Sequence, residues 1–198
     1  MRTGRLVVGI TGASGAIYAD RFLKACAPHF REVLTVVSKH ALSVFATELD
    51  RIAEPACLTT LALFGKEIPN VRFLDGGDYF TPPASGSYRH DGMVIVPCSM
   101  GTVGRIANGV SDDLMTRAAD VCLKEGRPLI LVIRETPLNL VHLRNLTRLA
   151  EAGAVILPAA PSWYNRPKTL EDLADTIVAR ILQRLGVEQQ LVPEWAEE

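Results

Sequence analysis

The 198-residue chain is 48% hydrophobic and 22% charged, a composition that buries a sizeable core in one domain without staples. Its formal net charge of −1 supplies no basic footprint, which argues against a nucleic-acid or anionic-membrane surface. Neither the 4 cysteines nor the 4 histidines fall in a metal-ligand spacing, so no metal site is expected.

The first predicted element is a short, mostly β-branched run, Leu6 to Val8 with Ile10, which reads as a buried parallel strand. Gly9, Gly12 and Gly15 then follow at regular spacing, with Ser14 at the expected N-cap of a helix reaching Ala27. Backbone N–H groups at such a helix start, with a hydroxyl beside them, form a phosphate seat. The plainer alternative is a tight turn that holds no ligand. The spacing is not the dinucleotide fingerprint, which needs G-x-G-x-x-G and an acid about 20 residues on. The next strand, Val33 to Val37, ends in Ser38-Lys39, which suits a mononucleotide phosphate or flavin edge better than an NAD ribose.

A helix carrying Ala41, Leu42, Val44 and Phe45 should end near Glu48, and two weak elements surround Leu58 to Phe64. Asp75 to Gly92 is rich in Gly, Pro and Ser and reads as a long loop of the kind that carries function. Met93 to Val96 is the next buried strand, and Pro97 to Thr102 the loop leaving it. A helix follows with Leu114, Ala118, Val121 and Cys122 on its apolar face. Leu129 to Ile133 is the clearest strand of the chain, with Arg134-Glu135 directly after it. Leu140 to Glu151 reads as a helix, Ala154 to Leu157 as a strand and Leu170 to Leu185 as a helix. The alternation predicts an α/β fold: a doubly wound parallel sheet in three layers. No N-terminal apolar run reaches the length of a signal or membrane segment, and the cysteines read as reduced thiols, so a cytoplasmic protein is expected.

Ligands of open α/β sheets bind outside the carboxyl ends of the strands. The residues following each predicted strand are Gly12, Ala13 and Ser14, then Ser38, then Ser99 to Thr102, then Arg134-Glu135, then the loop from Pro158 to Lys168. That set is rich in hydroxyls and backbone donors and poor in metal ligands. Arg134-Glu135 fits anion binding and proton transfer, with a structural ion pair as the alternative. The proline-bounded Trp163-Tyr164 loop offers a phenol to a phosphate and an apolar wall, or is an ordinary lid contact.

Several segments together carry a family likeness: Gly9 to Ala16, Val94 to Met100, Arg117 to Asp120 with Lys124-Glu125, Arg134 to Pro137, and Gly153 to Pro158. Tyr164 and a late helix containing Arg180 follow them in order. Over nearly its whole length the chain resembles the UbiX-type flavin prenyltransferases. The resemblance implies a Rossmann-like, flavoprotein-type domain over 1–186 and a C-terminal tail over 187–198. It implies a metal-independent enzyme that binds reduced FMN and dimethylallyl monophosphate and joins the prenyl group to flavin N5 and C6. The prenylated FMN so made would serve a UbiD-type decarboxylase, for example in ubiquinone biosynthesis, and the enzyme would assemble as a homo-oligomer, a dodecamer.

Carried over by position, Gly12, Ala13 and Ser14 would hold the flavin phosphate and Ser38 would also contact FMN. Ser99, Met100, Gly101 and Thr102 would line the isoalloxazine edge, and Arg134 would reach the flavin. Tyr164 and Arg180 match the grip on the prenyl phosphate, and Arg117 and Lys124 match further cations contributed across a subunit interface. Glu48 and Glu135 match acidic residues near the reacting centre and, with Lys124 and Ser14, complete the implied catalytic set. Trp195 matches a C-terminal aromatic that covers the site. Two departures concern lid shape: Gly101 stands where many members have lysine, and Trp163 varies the aromatic lid. An FMN-dependent cysteine decarboxylase shares the fold, but its Pro-x-Met-Asn-x-x-Met-Trp motif is absent. A non-catalytic FMN carrier would leave Arg117, Lys124, Tyr164 and Arg180 without a task.

Overall fold

The computed structural model describes residues 3–193. Six strands form one sheet: β1 (Arg5–Ile10), β2 (Glu32–Val37), β3 (Val71–Leu74), β4 (Met93–Cys98), β5 (Leu129–Ile133) and β6 (Val155–Pro158). Their order is β3-β2-β1-β4-β5-β6 and every pairing is parallel. The inner strands are buried on both faces, which is why they read as unbroken apolar runs rather than alternating ones.

Helices cover both faces. On one side lie α1 (Ala16–Cys26), α2 (Lys39–Leu49), α3 (Thr60–Phe64) and α7 (Leu170–Arg184), closing a core with Phe22, Phe45, Phe64 and Ile181. On the other lie α4 (Met100–Ala107), α5 (Leu114–Lys124) and α6 (Leu140–Glu151), packing Val103, Met115 and Leu146 against Ile95 and Leu131. The three-layer, doubly wound expectation therefore holds. Among the described residues no helix is long and apolar enough to cross a membrane.

Two elements depart from the sequence reading. β3 was hidden in a weakly patterned stretch, because it is a four-residue edge strand that leaves Arg72 exposed. Met100, Gly101 and Thr102 are not loop but the first turn of α4, whose Gly101 and Gly104 depress helix propensity. The expected single helix after β4 is accordingly two, α4 and α5. The strand before them runs on through Pro97 to Cys98, with an irregular register between Ile95 and Cys98.

Candidate active site

The strand order reverses between β1 and β4, so the crevice above their carboxyl ends is where a ligand belongs. The two ends are tied together there. Thr11 donates from its N–H to the Pro97 carbonyl at 3.2 Å and from its hydroxyl at 2.7 Å, and Ser99 N–H donates to Thr11 Oγ1 at 2.8 Å. Ser38 caps α2 by accepting from Ala41 N–H, and Ser99 caps α4 by accepting from Thr102 N–H. Two helix starts thus open on one crevice, each carrying the positive end of a helix dipole. Between them is a cavity of about 220 Å³ walled by Gly12, Ser38, His40, Ser99, Thr102 and Arg105. Gly12 is obligatory: a Cβ on it would collide with His40 at the start of α2.

The glycine turn itself is built differently from the sequence expectation. The N-cap of α1 is Gly15, at φ 110, not Ser14, and no side chain of the turn caps it. The cap comes from across the fold. Glu48, in the last turn of α2, accepts from Gly15 N–H at 2.9 Å and from Ala16 N–H at 2.8 Å. Two of the donors offered to a phosphate by the sequence are therefore held by a carboxylate. Arg134 closes the other side, donating from Nε to the Ser14 carbonyl at 3.1 Å, while the Ser14 side chain stays exposed. The Tyr18 ring lies against Gly15, and burial raises its phenol pKa against the opposing pull of Arg134.

The other sequence candidates divide between the two faces. Tyr164 and Arg180 belong to the loop and helix of the α1/α7 face; both are exposed, and Arg180 Nη1 donates to Gln183 Oε1 at 3.2 Å. Arg117 and Lys124 lie on α5, on the opposite face of the sheet. Arg117 donates to the Ala84 carbonyl and Asp120, and Lys124 pairs with Glu125. One chain does not bring these four residues together. Glu135 is exposed beside Arg134, and its carboxylate accepts from Thr136 N–H at 3.1 Å. Trp195 lies outside the described residues.

Burial pushes the Cys98 thiol, at the end of β4, up to about 12, so it stays protonated and is no nucleophile at neutral pH. Asp113, the N-cap of α5, is pushed up by burial but held lower overall by Thr116 N–H and Arg105. Arg105 and this carboxylate carried no mark in the sequence beyond an Asp-Asp pair seven and eight residues after an arginine. Among the described residues no cluster of His, Cys, Asp and Glu could hold a metal ion.

A switch-point crevice walled by hydroxyls and helix starts is the site of a nucleotide-binding α/β protein. The Flavoprotein family model matches residues 1–182, and the chain belongs to that family. It is 46% identical to the flavin prenyltransferase UbiX of Pseudomonas aeruginosa over 199 residues, covering 98% of this chain and 95% of the relative. Its fold superposes on a crystal structure of AnUbiX (PadA1) in complex with FMN and dimethylallyl pyrophosphate with a TM-score of 0.87, at 39% identity over 100% of both chains. A dodecameric FMN-dependent UbiX-like decarboxylase from Escherichia coli O157:H7 matches with a TM-score of 0.85 and 36% identity, over 96% of this chain and 98% of the other.

Proposed function

We propose that the chain is a flavin prenyltransferase, which transfers a dimethylallyl group from dimethylallyl monophosphate to N5 and C6 of reduced FMN. One consideration supports the reading: beside the switch-point crevice the chain carries a second group of candidate anion-handling residues, divided between the two faces of the sheet. The first is the Ser38, Ser99 and Thr102 cavity, whose hydroxyls and helix starts fit the phosphate end of FMN. The second is Tyr164 and Arg180, with Arg117 and Lys124 on the opposite face. A flavin carrier needs only the first set; a prenyl transfer needs both. The AnUbiX structure, which holds FMN together with a dimethylallyl phosphate ester, supports the same pairing of ligands.

Reduced FMN supplies the electron-rich ring atoms that accept the prenyl group. The chain's own residues do the rest. By sequence the phosphate falls to Gly12, Ala13 and Ser14, but Glu48 caps that turn. These three would instead border the flavin on one side and Met100 and Gly101 on the other, leaving the phosphate to Ser38, Ser99 and Thr102. Arg134, anchored to the Ser14 carbonyl, fixes the turn and faces the flavin. Arg180 and Tyr164 neutralise the charge that develops on the departing phosphate, joined by Arg117 and Lys124 of a second copy. Glu135 takes up the proton released at C6. Glu48 holds the start of α1 in register beneath these groups.

The division of the phosphate-binding residues between two faces supports a homo-oligomer with shared active sites, and the dodecameric relative supports a dodecamer. The product would pass to a UbiD-type decarboxylase in the cytoplasm. The test is release of inorganic phosphate from dimethylallyl monophosphate under anaerobic conditions. Release should depend on reduced FMN and stop with oxidised FMN; release indifferent to the flavin would make the protein a phosphatase.

A further inference from the structure

Arg105 stands in the wall of the switch-point cavity, one turn into α4, and none of the roles assigned above uses it. Its surroundings raise a problem that its charge resolves. Asp113 lines the same cavity, and Asp112 is its neighbour in the chain. Two carboxylates beside a phosphate dianion would repel it. Arg105 Nη1 donates to Asp112 Oδ1 at 2.7 Å and to Asp113 Oδ2 at 2.6 Å, while Asp113 Oδ1 accepts from Thr116 N–H at 2.7 Å. Both acids are thereby occupied. Among the described residues Arg105 Nη2 donates to Thr102 Oγ1, at 3.4 Å, so that edge of the guanidinium is directed at the hydroxyls of the cavity. The Arg105 side chain is 33% exposed, shielded enough for its charge to count more than a surface cation would.

We propose that Arg105 is a specificity residue for the flavin phosphate: pinned by Asp112 and Asp113, it makes the cavity between Ser38 and Ser99 select FMN over riboflavin. The inference rests on the flavin-binding reading and deepens it. The two acids hold the guanidinium in place before ligand arrives, so little side-chain freedom is lost on binding. The alternative role is a clip that merely fastens α4 to the start of α5. A clip serves both flavins alike; a phosphate contact serves only one.

Riboflavin carries the same ring and ribityl chain without the phosphate, so the ratio of the two affinities isolates the effect. Oxidised FMN and riboflavin are titrated into wild type, Arg105→Gln, Arg105→Lys and Asp112→Asn, following flavin fluorescence, with circular dichroism as the check on folding. In Arg105→Gln the FMN affinity should fall about 10–100-fold and the riboflavin affinity hold within about twofold, with Arg105→Lys in between. Asp112→Asn alters a mostly exposed side chain and spares the fold. It removes one of the two acids that hold the guanidinium in place, so FMN affinity should weaken while riboflavin affinity is unchanged. Equal losses for both flavins, or an unchanged ratio in the arginine and aspartate variants, overturns the proposal. A wild-type protein that takes FMN and riboflavin equally well also overturns it. Wild type that binds neither refutes the flavin reading itself, and the inference with it.

Discussion

Glu48 Oε2 accepts the backbone N–H of Ala16 at 2.8 Å, so the last turn of α2 caps the first turn of α1. The same carboxylate takes Gly15 N–H, and together these satisfy two donors that no side chain of the glycine turn reaches. A negative charge at this helix start is also favoured by the dipole. Glu48→Ala should therefore cost about 1–2 kcal/mol of stability, and Glu48→Gln, which keeps one acceptor, less than half of that. Urea unfolding of the three proteins checks the order. Identical midpoints would mean the contact contributes nothing to the fold.

Acid sensitivity should come from the other end of the sheet. His90 is buried, its Nδ1 facing the Gly92 carbonyl at 3.0 Å and its Nε2 4.0 Å from Cys122 Sγ. Burial lowers its pKa below the ordinary value of 6.5, so the folded protein holds it neutral. The sign follows directly. A depressed folded value means full stability above about 6.5, lost progressively as pH falls towards the folded value. Melting temperature should drop between pH 7.5 and pH 5 on the scale of about a few degrees, and His90→Gln should flatten that slope. Equal slopes in the two proteins would assign the acid sensitivity to other groups.

The phosphate-binding cations give a test of assembly. Arg180 lies on one face of the sheet and Arg117 on the other, so a prenyl-phosphate site that uses both would need two copies. Arg180→Ala and Arg117→Ala should each lose prenyl-substrate use, by about 1.5–3 kcal/mol of transition-state stabilisation, while FMN still binds. Tyr164→Phe should lose less, since it removes a neutral hydroxyl. Mixing the two arginine variants through a cycle of dissociation and reassembly should restore part of the activity, because some sites then receive both arginines. Mixed oligomers that form and stay inactive would contradict the shared site.

Glu135→Gln separates proton transfer from structure. Among the described residues the exposed carboxylate holds its neighbour's N–H, at Thr136, so the amide should preserve folding and FMN binding. Turnover should fall by a factor on the order of 10²–10⁴ if the carboxylate handles the proton. A fully active variant would leave the substrate's own phosphate as the base.

Much of the fold was legible because burial dictates it. β1, β4 and β5 lie between two helical layers, and a strand buried on both sides must be an apolar run such as Leu129 to Ile133. α6 was legible as a helix over Leu140 to Glu151, while its capping box at Asn139 emerged only in the structure. β3 was not legible, because a short edge strand needs little apolar sequence. α4 was obscured by glycines at 101 and 104, which lower helix propensity. In the site, positions were easier to read than roles. Ser38 and Ser99 were visible as strand-end hydroxyls, but their capping of α2 and α4 depends on helices whose starts are set by packing. The Glu48 cap joins residues 33 positions apart, and the Arg105 network joins two helices; neither leaves a local motif.

The most direct test of the central claim is the mass of the flavin recovered after anaerobic incubation of the protein with reduced FMN and dimethylallyl monophosphate. The account predicts a flavin heavier than FMN by one dimethylallyl unit, formed in step with phosphate release and absent without the protein. Recovery of unmodified FMN alone, from protein that is folded and has bound both ligands, would contradict it.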